Sequence, residues 1–293
     1  MIRQSLRGMK NIGSAVMIEH TLFSLPLAIS AFLLETAGHP PIAKVIWILL
    51  AVFGARNAAN ALNRLIDRHI DEENPRTATR DLPTGKVKPY QLWIFTILCL
   101  MIFLLAAYKL NPLCLILVPV AFILIFGYSY TKRFTFLCHY WLGVTTSVAV
   151  MGSFLAISGS FAWEYFPLTI GAALWVAGFD IIYATQDIEH DRTVGLHSIP
   201  SRFGKNGALY IAGLSHMVTI LAFILNGYLY QLHELYYIGV TISGIILVME
   251  HVIAWKGNVK WIPLASYHLN QLLSPLFMIF TILDIYLLGN LNG

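Results

Sequence analysis

Residues 60–85 read NALNRLIDRHIDEENPRTATRDLPTG, and residues 183–204 read YATQDIEHDRTVGLHSIPSRFG. In both, a hydrophobic run gives way to a polar loop, and the same acidic register appears at the change. The first trio is Asn63, Asp67 and Asp71; the second, about 120 positions later, is Tyr183, Asp187 and Asp191. Residues at i, i+4 and i+8 drift by only about 40° per step on a helix, so each trio lines one face. Two carboxylates one turn apart, occurring twice, suit a divalent cation of the magnesium type, which takes hard oxygen ligands and often bridges to phosphates. Four such carboxylates facing one cavity repel strongly unless cations sit between them.

The rest of the chain is apolar. Hydrophobic residues make up 57% of the 293, charged residues 12%, and mean hydropathy is +0.68. A soluble domain has about twice that share of charge, so the composition reads as an integral membrane protein. Nine stretches are long enough to cross a bilayer: 12–34, 43–66, 90–109, 112–130, 139–158, 165–187, 207–228, 234–255 and 268–288. With the N-terminus cytoplasmic, all Lys and Arg but Lys44, Lys109 and Arg56 fall in or beside the cytoplasmic loops, as the positive-inside rule requires. The formal charge of +4 is then a matter of basic loops beside anionic lipid, not of nucleic-acid binding. MIRQSLRGMK lacks a small-residue cleavage site, which favours a first helix over a removed signal. With no transit peptide to read, the expected location is a bacterial inner (plasma) membrane. Cys99, Cys114 and Cys138 lack metal-ligand spacing and read as small buried hydrophobes.

The acidic copies end the second and sixth stretches. An even separation makes those helices parallel, so both acidic faces emerge on the same, cytoplasmic side. Each copy is followed by proline, glycine and lysine (Pro83, Gly85 and Lys86; Pro200, Gly204 and Lys205). The expected organisation is one domain, 1–293, built from a repeated four-helix unit plus a ninth helix. The long polar loops at 68–89 and 188–206 place function between helices two and six.

Asn-x-x-x-Asp-x-x-x-Asp followed by a second Asp-x-x-x-Asp, with the flanking runs NPRTA and YATQD, resembles the UbiA family of intramembrane aromatic prenyltransferases. The resemblance covers nearly the whole chain. It implies an all-α fold of nine transmembrane helices around a central cavity capped by cytoplasmic loops. It also implies Mg2+-dependent transfer of a prenyl group from a prenyl diphosphate to an acceptor. On that resemblance Asn63, Asp67 and Asp71 hold one Mg2+, Asp187 and Asp191 a second, and Lys132 binds diphosphate. Arg76 and Arg80, just after the first acidic run, complete a diphosphate site, whereas Arg133 reads as an interfacial anchor. Tyr183 and Asp180 share a helical side with Asp187 and line the cavity; Glu189 and His190 point elsewhere.

Arg56 lies seven residues before Asn63, and Asp180 seven before Asp187. A buried Arg needs a partner: Arg56 either holds an acceptor or diphosphate anion, with Asp180 near it, or forms a structural pair with Asp180. Many family members have an Arg where this chain has Glu19-His20-Thr21, so His20 either replaces an acceptor contact or is structural. His216, Glu250, His251, Asn270 and Asp284 are polar residues within spans that the sequence leaves without roles. Aromatic residues, 13% of the chain, either shield an allylic cation or serve packing and interfacial belts.

The expected partners are the bilayer, a polyprenyl diphosphate and an aromatic acid of the 4-hydroxybenzoate type. A naphthoate of a menaquinone pathway is the alternative acceptor. A secondary transporter is the alternative class, disfavoured because transporter sites usually lie near the midplane.

Overall fold

The computed structural model describes residues 11–17, 21–257 and 259–289, and every regular element among them is helical. Seven helical segments are long and apolar enough to cross a membrane: Ile42–Ile66, Pro89–Leu110, Cys138–Ser158, Trp163–Thr193, Ile199–Leu229, Glu234–Lys256 and Leu264–Leu288. The two remaining apolar helices, Thr21–Glu35 and Val118–Thr131, are shorter. Of the nine expected spans, seven are thus helices of full spanning length among the described residues. Stretch 12–34 includes positions 18–20, outside the described residues.

In chain order the helices are α1 (Thr21–Glu35), α2 (Ile42–Ile66), α3 (Arg68–Glu73), α4 (Pro89–Leu110), α5 (Pro112–Ile116), α6 (Val118–Thr131), α7 (Cys138–Ser158), α8 (Phe166–Ala184), α9 (Ile188–Thr193), α10 (Ile199–Leu229), α11 (Glu234–Lys256) and α12 (Leu269–Leu283). The stretch expected as one helix over 112–130 is broken at Leu117. Pro119, in the first turn of α6, lacks the amide that a continuous helix would need there and crowds the preceding turn. At the turn before it, the Asn111 side chain accepts from the Cys114 amide at 2.9 Å, capping α5 as α4 ends. The stretch expected to start at 207 starts at Ile199 instead, because Ser198 caps α10 and Pro200 occupies its first turn. Gly204, at φ +69°, kinks the helix, a conformation that favours glycine.

α2 packs along α4, and α8 lies between α7 and α10. Small residues allow these contacts: a Cβ on Gly54 would sit 2.6 Å from the Cys99 carbonyl, and one on Gly143 would collide with that of Ala173. The main core joins α1, α7, α8, α10 and α12 through Phe23, Phe154, Trp175, Phe223 and Phe277. The outer surface is apolar as well. Met101 on α4, and Leu214 and Leu221 on α10, are about 60% exposed, an arrangement suited to lipid and costly in water.

Two of the unassigned polar groups are structural. Asp284 accepts from the amides of His233 and Tyr236 at 2.9 and 3.0 Å, so it caps α11 from a distant helix. Asn270 accepts from the Trp175 indole at 2.6 Å. His216 and His251 meet at 3.0 Å through Nδ1 and Nε2.

Candidate active site

Both acidic helices stop near their first Asp. α2 ends at Ile66, Asp67 takes φ −92° and ψ 6°, and α3 restarts at Arg68. α8 ends at Ala184, and a tight turn over Thr185–Asp187 leads into α9. The first register survives its break, since Asp67 N bonds Asn63 O at 2.9 Å and Asp71 N bonds Asp67 O at 2.8 Å. Asp67, Asp71, Asp187 and Asp191 all line one cavity of about 250 Å3, as do Asn63, Arg76, Arg80, Lys132, Arg56, Asp180 and Tyr183. His20 lies outside the described residues.

The cations that separate the carboxylates are the protein's own. Asp67, 2% exposed, lies 2.7 Å from Lys132 Nζ and 3.1 Å from Arg133 Nη2, and accepts from Asn63 Nδ2 at 2.8 Å. Asp71 accepts from Arg80 Nη1 at 2.7 and 2.8 Å, with Arg64 3.7 Å away. Asp187 takes a two-pronged contact from Arg76, Nε to Oδ1 at 2.9 Å and Nη2 to Oδ2 at 2.6 Å, and a bond from Asn74 at 3.0 Å. Such forked guanidinium–carboxylate bonds are the strong ones. Burial works against the Arg76 charge, but the Asp187 carboxylate outweighs it and holds the guanidinium above its ordinary value. Arg76 also donates to the Tyr183 hydroxyl at 3.0 Å and lies 5.0 Å from its ring centroid. Asp191 accepts from Ser198 Oγ at 2.8 Å, while that hydroxyl accepts from the Ser201 amide as the cap of α10. Residues 74–80 and the end of α8 thus meet, which brings the two acidic trios to one end of the bundle.

Three expectations change. Arg133 is an Asp67 partner and not an anchor: the turn after α6 carries it back onto Asp67 and the Ile66 carbonyl. His190 lines the cavity, contrary to its expected direction, because the chain tightens at Thr185–Asp187; Glu189 is exposed, as expected. No ion pair joins Arg56 to Asp180 among the described residues. Arg56 donates to Thr146 Oγ1 at 2.9 Å, and its Nε is buried without a partner; Asp180 meets His139 Nδ1 at 2.7 Å. The sequence reading also passed over Asn74, Ser198 and His139. Asn74 lies in the quoted NPRTA run and Ser198 in a Ser-x-x-Ser cap, whereas His139 gave no local signal.

A second cavity, of about 290 Å3, is lined mainly by Ala, Val, Leu, Ile and Phe side chains of α2, α4, α6 and α7. Arg56, Ala59 and Thr145 line both cavities, so a charged compartment adjoins an apolar one.

The sequence profile of the UbiA prenyltransferase family matches residues 24–269, a span that includes both acidic trios. This chain belongs to the UbiA prenyltransferase family. Among UbiA-family proteins, a 4-hydroxybenzoate octaprenyltransferase of Vibrio campbellii is 31% identical over 252 residues, covering 85% of this chain and 86% of the relative. One of Histophilus somni is 31% identical over 248 residues, covering 84% of each. The apo structure of a UbiA homolog from Aeropyrum pernix K1 superposes with a TM-score of 0.84 at 33% identity, covering 91% of this chain and 98% of that one. A UbiA homolog from Archaeoglobus fulgidus, solved bound to GPP and Mg2+, shares the fold at a TM-score of 0.70 and 18% identity, covering 94% and 99%.

The donor chemistry of the UbiA site here suits a hard divalent cation: four carboxylates, with the Asn63 amide beside one of them, all offer oxygen. Among the described residues, no three acidic, His or Cys side chains converge as a ready cage. Instead, three of the four carboxylates are matched by Lys or Arg.

Proposed function

We propose that the protein is a Mg2+-dependent prenyltransferase that moves a polyprenyl group from its diphosphate to an aromatic acid of the 4-hydroxybenzoate type. The observation that carries this reading is one charged cavity, three of whose four motif carboxylates are paired with Lys or Arg, beside an apolar one. Relatives about 31% identical over most of both chains are 4-hydroxybenzoate octaprenyltransferases, which supports the acceptor class.

In this reading Asn63, Asp67 and Asp71 hold one Mg2+, and Asp187 and Asp191 a second. Bound there, Mg2+ neutralises the diphosphate and makes it a competent leaving group. The cations that now pair with the carboxylates are then free for phosphate oxygens: Arg76 from Asp187, Arg80 from Asp71, and Lys132 and Arg133 from Asp67. Their positions are set before substrate arrives, which is the condition for electrostatic stabilisation of a developing charge. The apolar cavity takes the isoprenoid beyond the polar head, and Tyr183 presents a π face near the reacting end. Arg56, on the boundary, meets the acceptor carboxylate.

The same reading includes nine membrane passes, with α1 and α6 as shortened ones, and one domain over 1–293 with an internal four-helix repeat. It sets the chain in a bacterial inner membrane with a cytoplasmic N-terminus and the site on the cytoplasmic side. Purified protein with Mg2+, radiolabelled geranyl diphosphate and either 4-hydroxybenzoate or a hydroxynaphthoate tests it. Prenylated product from one acceptor, abolished by EDTA, restored by Mg2+ and absent in Asp67→Ala, is the expected result and chooses the acceptor. No product from any aromatic acid would sink the reading.

A further inference from the structure

The diphosphate chemistry leaves unused a His–Asp pair in the charged cavity. His139 begins α7 and Asp180 lies near the end of α8, and both line that cavity. His139 Nδ1 is 2.7 Å from Asp180 Oδ2. A carboxylate accepts, so Nδ1 carries the hydrogen, and the tautomer is fixed by that bond. The two side chains differ in exposure, 5% for His139 and 26% for Asp180. The carboxylate therefore faces the cavity, and the imidazole backs it, with Nε2 buried and unpartnered.

Asp180 also differs from the acidic-motif carboxylates. Three of those hold a Lys or Arg and the fourth a capping hydroxyl. Asp180 has only the imidazole, and its Oδ1 has no hydrogen-bond partner among the described residues. Arg56, in the same cavity, gives one bond to Thr146 and keeps a buried, unpartnered Nε. One wall of the cavity thus offers a cation and a carboxylate that attract each other without forming an ion pair among the described residues. A ring bearing a carboxylate and a hydroxyl complements that arrangement.

Resting on the prenyltransferase reading, we infer that His139 is a positioning residue for the acceptor. Its Nδ1–H holds Asp180 so that Oδ1 accepts the proton of the acceptor's ring hydroxyl. The allylic C–O bond breaks and diphosphate leaves with its electron pair. As Asp180 takes the hydroxyl proton, the O–H electron pair feeds the ring, and an ortho carbon forms the new C–C bond. The ring C–H proton then moves to the ring oxygen, restoring hydroxyl and aromaticity. The proton on Asp180 leaves with diphosphate. Asp180 touches the reacting molecule; His139 acts through it.

The test compares His139→Ala, His139→Asn and Asp180→Asn with geranyl diphosphate and 4-hydroxybenzoate, beside geranyl diphosphate binding without acceptor. Asp180→Asn is expected to lower acceptor kcat/KM by about 10²–10⁴-fold, the range for a proton-transfer group. His139→Ala should cost about 10–100-fold, as loss of an orienting partner does at other sites, with geranyl diphosphate affinity within about twofold of wild type. His139→Asn, whose amide donor reaches the place of Nδ1, should recover most of the loss. The double variant His139→Ala/Asp180→Asn should be no worse than Asp180→Asn alone. Unchanged acceptor kcat/KM in a diphosphate-binding His139→Ala, or a loss that adds to that of Asp180→Asn, overturns the inference. Where His139→Ala fails to bind geranyl diphosphate, the bulkier His139→Leu replaces it under the same criteria. Wild-type protein that prenylates no aromatic acid fails the underlying reading and takes this inference with it; a productive wild type with indifferent His139 variants fails this inference alone.

Discussion

Asp67 holds two cations at once, Lys132 and Arg133, while only 2% exposed. Removing its charge leaves both cations facing each other without a counter-ion, and breaking a buried pair from one side is destabilising. Both cations are about one-third exposed, so solvent discounts the loss to on the order of 2 kcal/mol. Asp67→Asn should therefore melt several degrees lower in detergent, and inorganic pyrophosphate should restore much of the difference by supplying the missing anion. A variant as stable as wild type would show that Lys132 and Arg133 do not depend on Asp67. Arg76→Lys is the complementary case. A lysine cannot reproduce the fork on Asp187 or the contact with Tyr183. Its KM for geranyl diphosphate should rise about tenfold or more, since each bond to a charged group is worth about 1.5–3 kcal/mol; an unchanged KM would exclude Arg76 from the diphosphate site. The carboxylates themselves were legible, because an i, i+4 register is a property of neighbours in sequence. Their partners were not: Arg76 reaches Asp187 across 111 positions, Arg133 turns inward only because α6 ends beside it, and nothing local marks His139 as the partner of Asp180.

Among the elements, hydropathy located the apolar segments, since a bilayer demands a minimum length of apolar chain whatever the helix packs against. It could not tell where a helix breaks inside such a stretch. The break at Leu117 and the kink at Gly204 follow from a single proline and a single positive φ, features smaller than a hydropathy window. The close approaches of helices were equally silent. Gly143 lets the Ala173 carbonyl occupy the space a Cβ would need, and backbone cannot move aside as a flexible side chain can. Gly143→Val should separate α7 from α8 and destabilise the fold by about 1–3 kcal/mol or more, the range for overpacking a close-packed site. Because α7 carries His139 and α8 carries Asp180, the same variant should lose acceptor turnover more than diphosphate binding. A Gly143→Val protein with wild-type melting temperature would show that the two helices can part without cost.

At the scale of the molecule, two cavities share one wall at Arg56, Ala59 and Thr145. The charged one gathers residues from both halves of the chain; the apolar one is lined mainly by α2, α4, α6 and α7. If the polar head reacts in the first and the isoprenoid lies in the second, the volume of the second bears on chain length without touching the chemistry. Gly152 lines the apolar cavity on α7, and a Cβ there would meet nothing within 4 Å. A large side chain at this position enters open space instead of colliding with a neighbouring helix, so the fold should tolerate it. Gly152→Phe fills part of a cavity of about 290 Å3 and removes room from the distal units of a long substrate first. Its kcat/KM for geranyl diphosphate should stay within about threefold of wild type, while that for a long polyprenyl diphosphate should fall about tenfold, equivalent to about 1.4 kcal/mol of lost tail contact. Steady-state kinetics with the two donors, in detergent, give the ratio directly. A parallel fall for both would mean that Gly152 affects the reacting end, and no fall for either would place the tail outside this cavity, against the lipid-facing surface of the bundle.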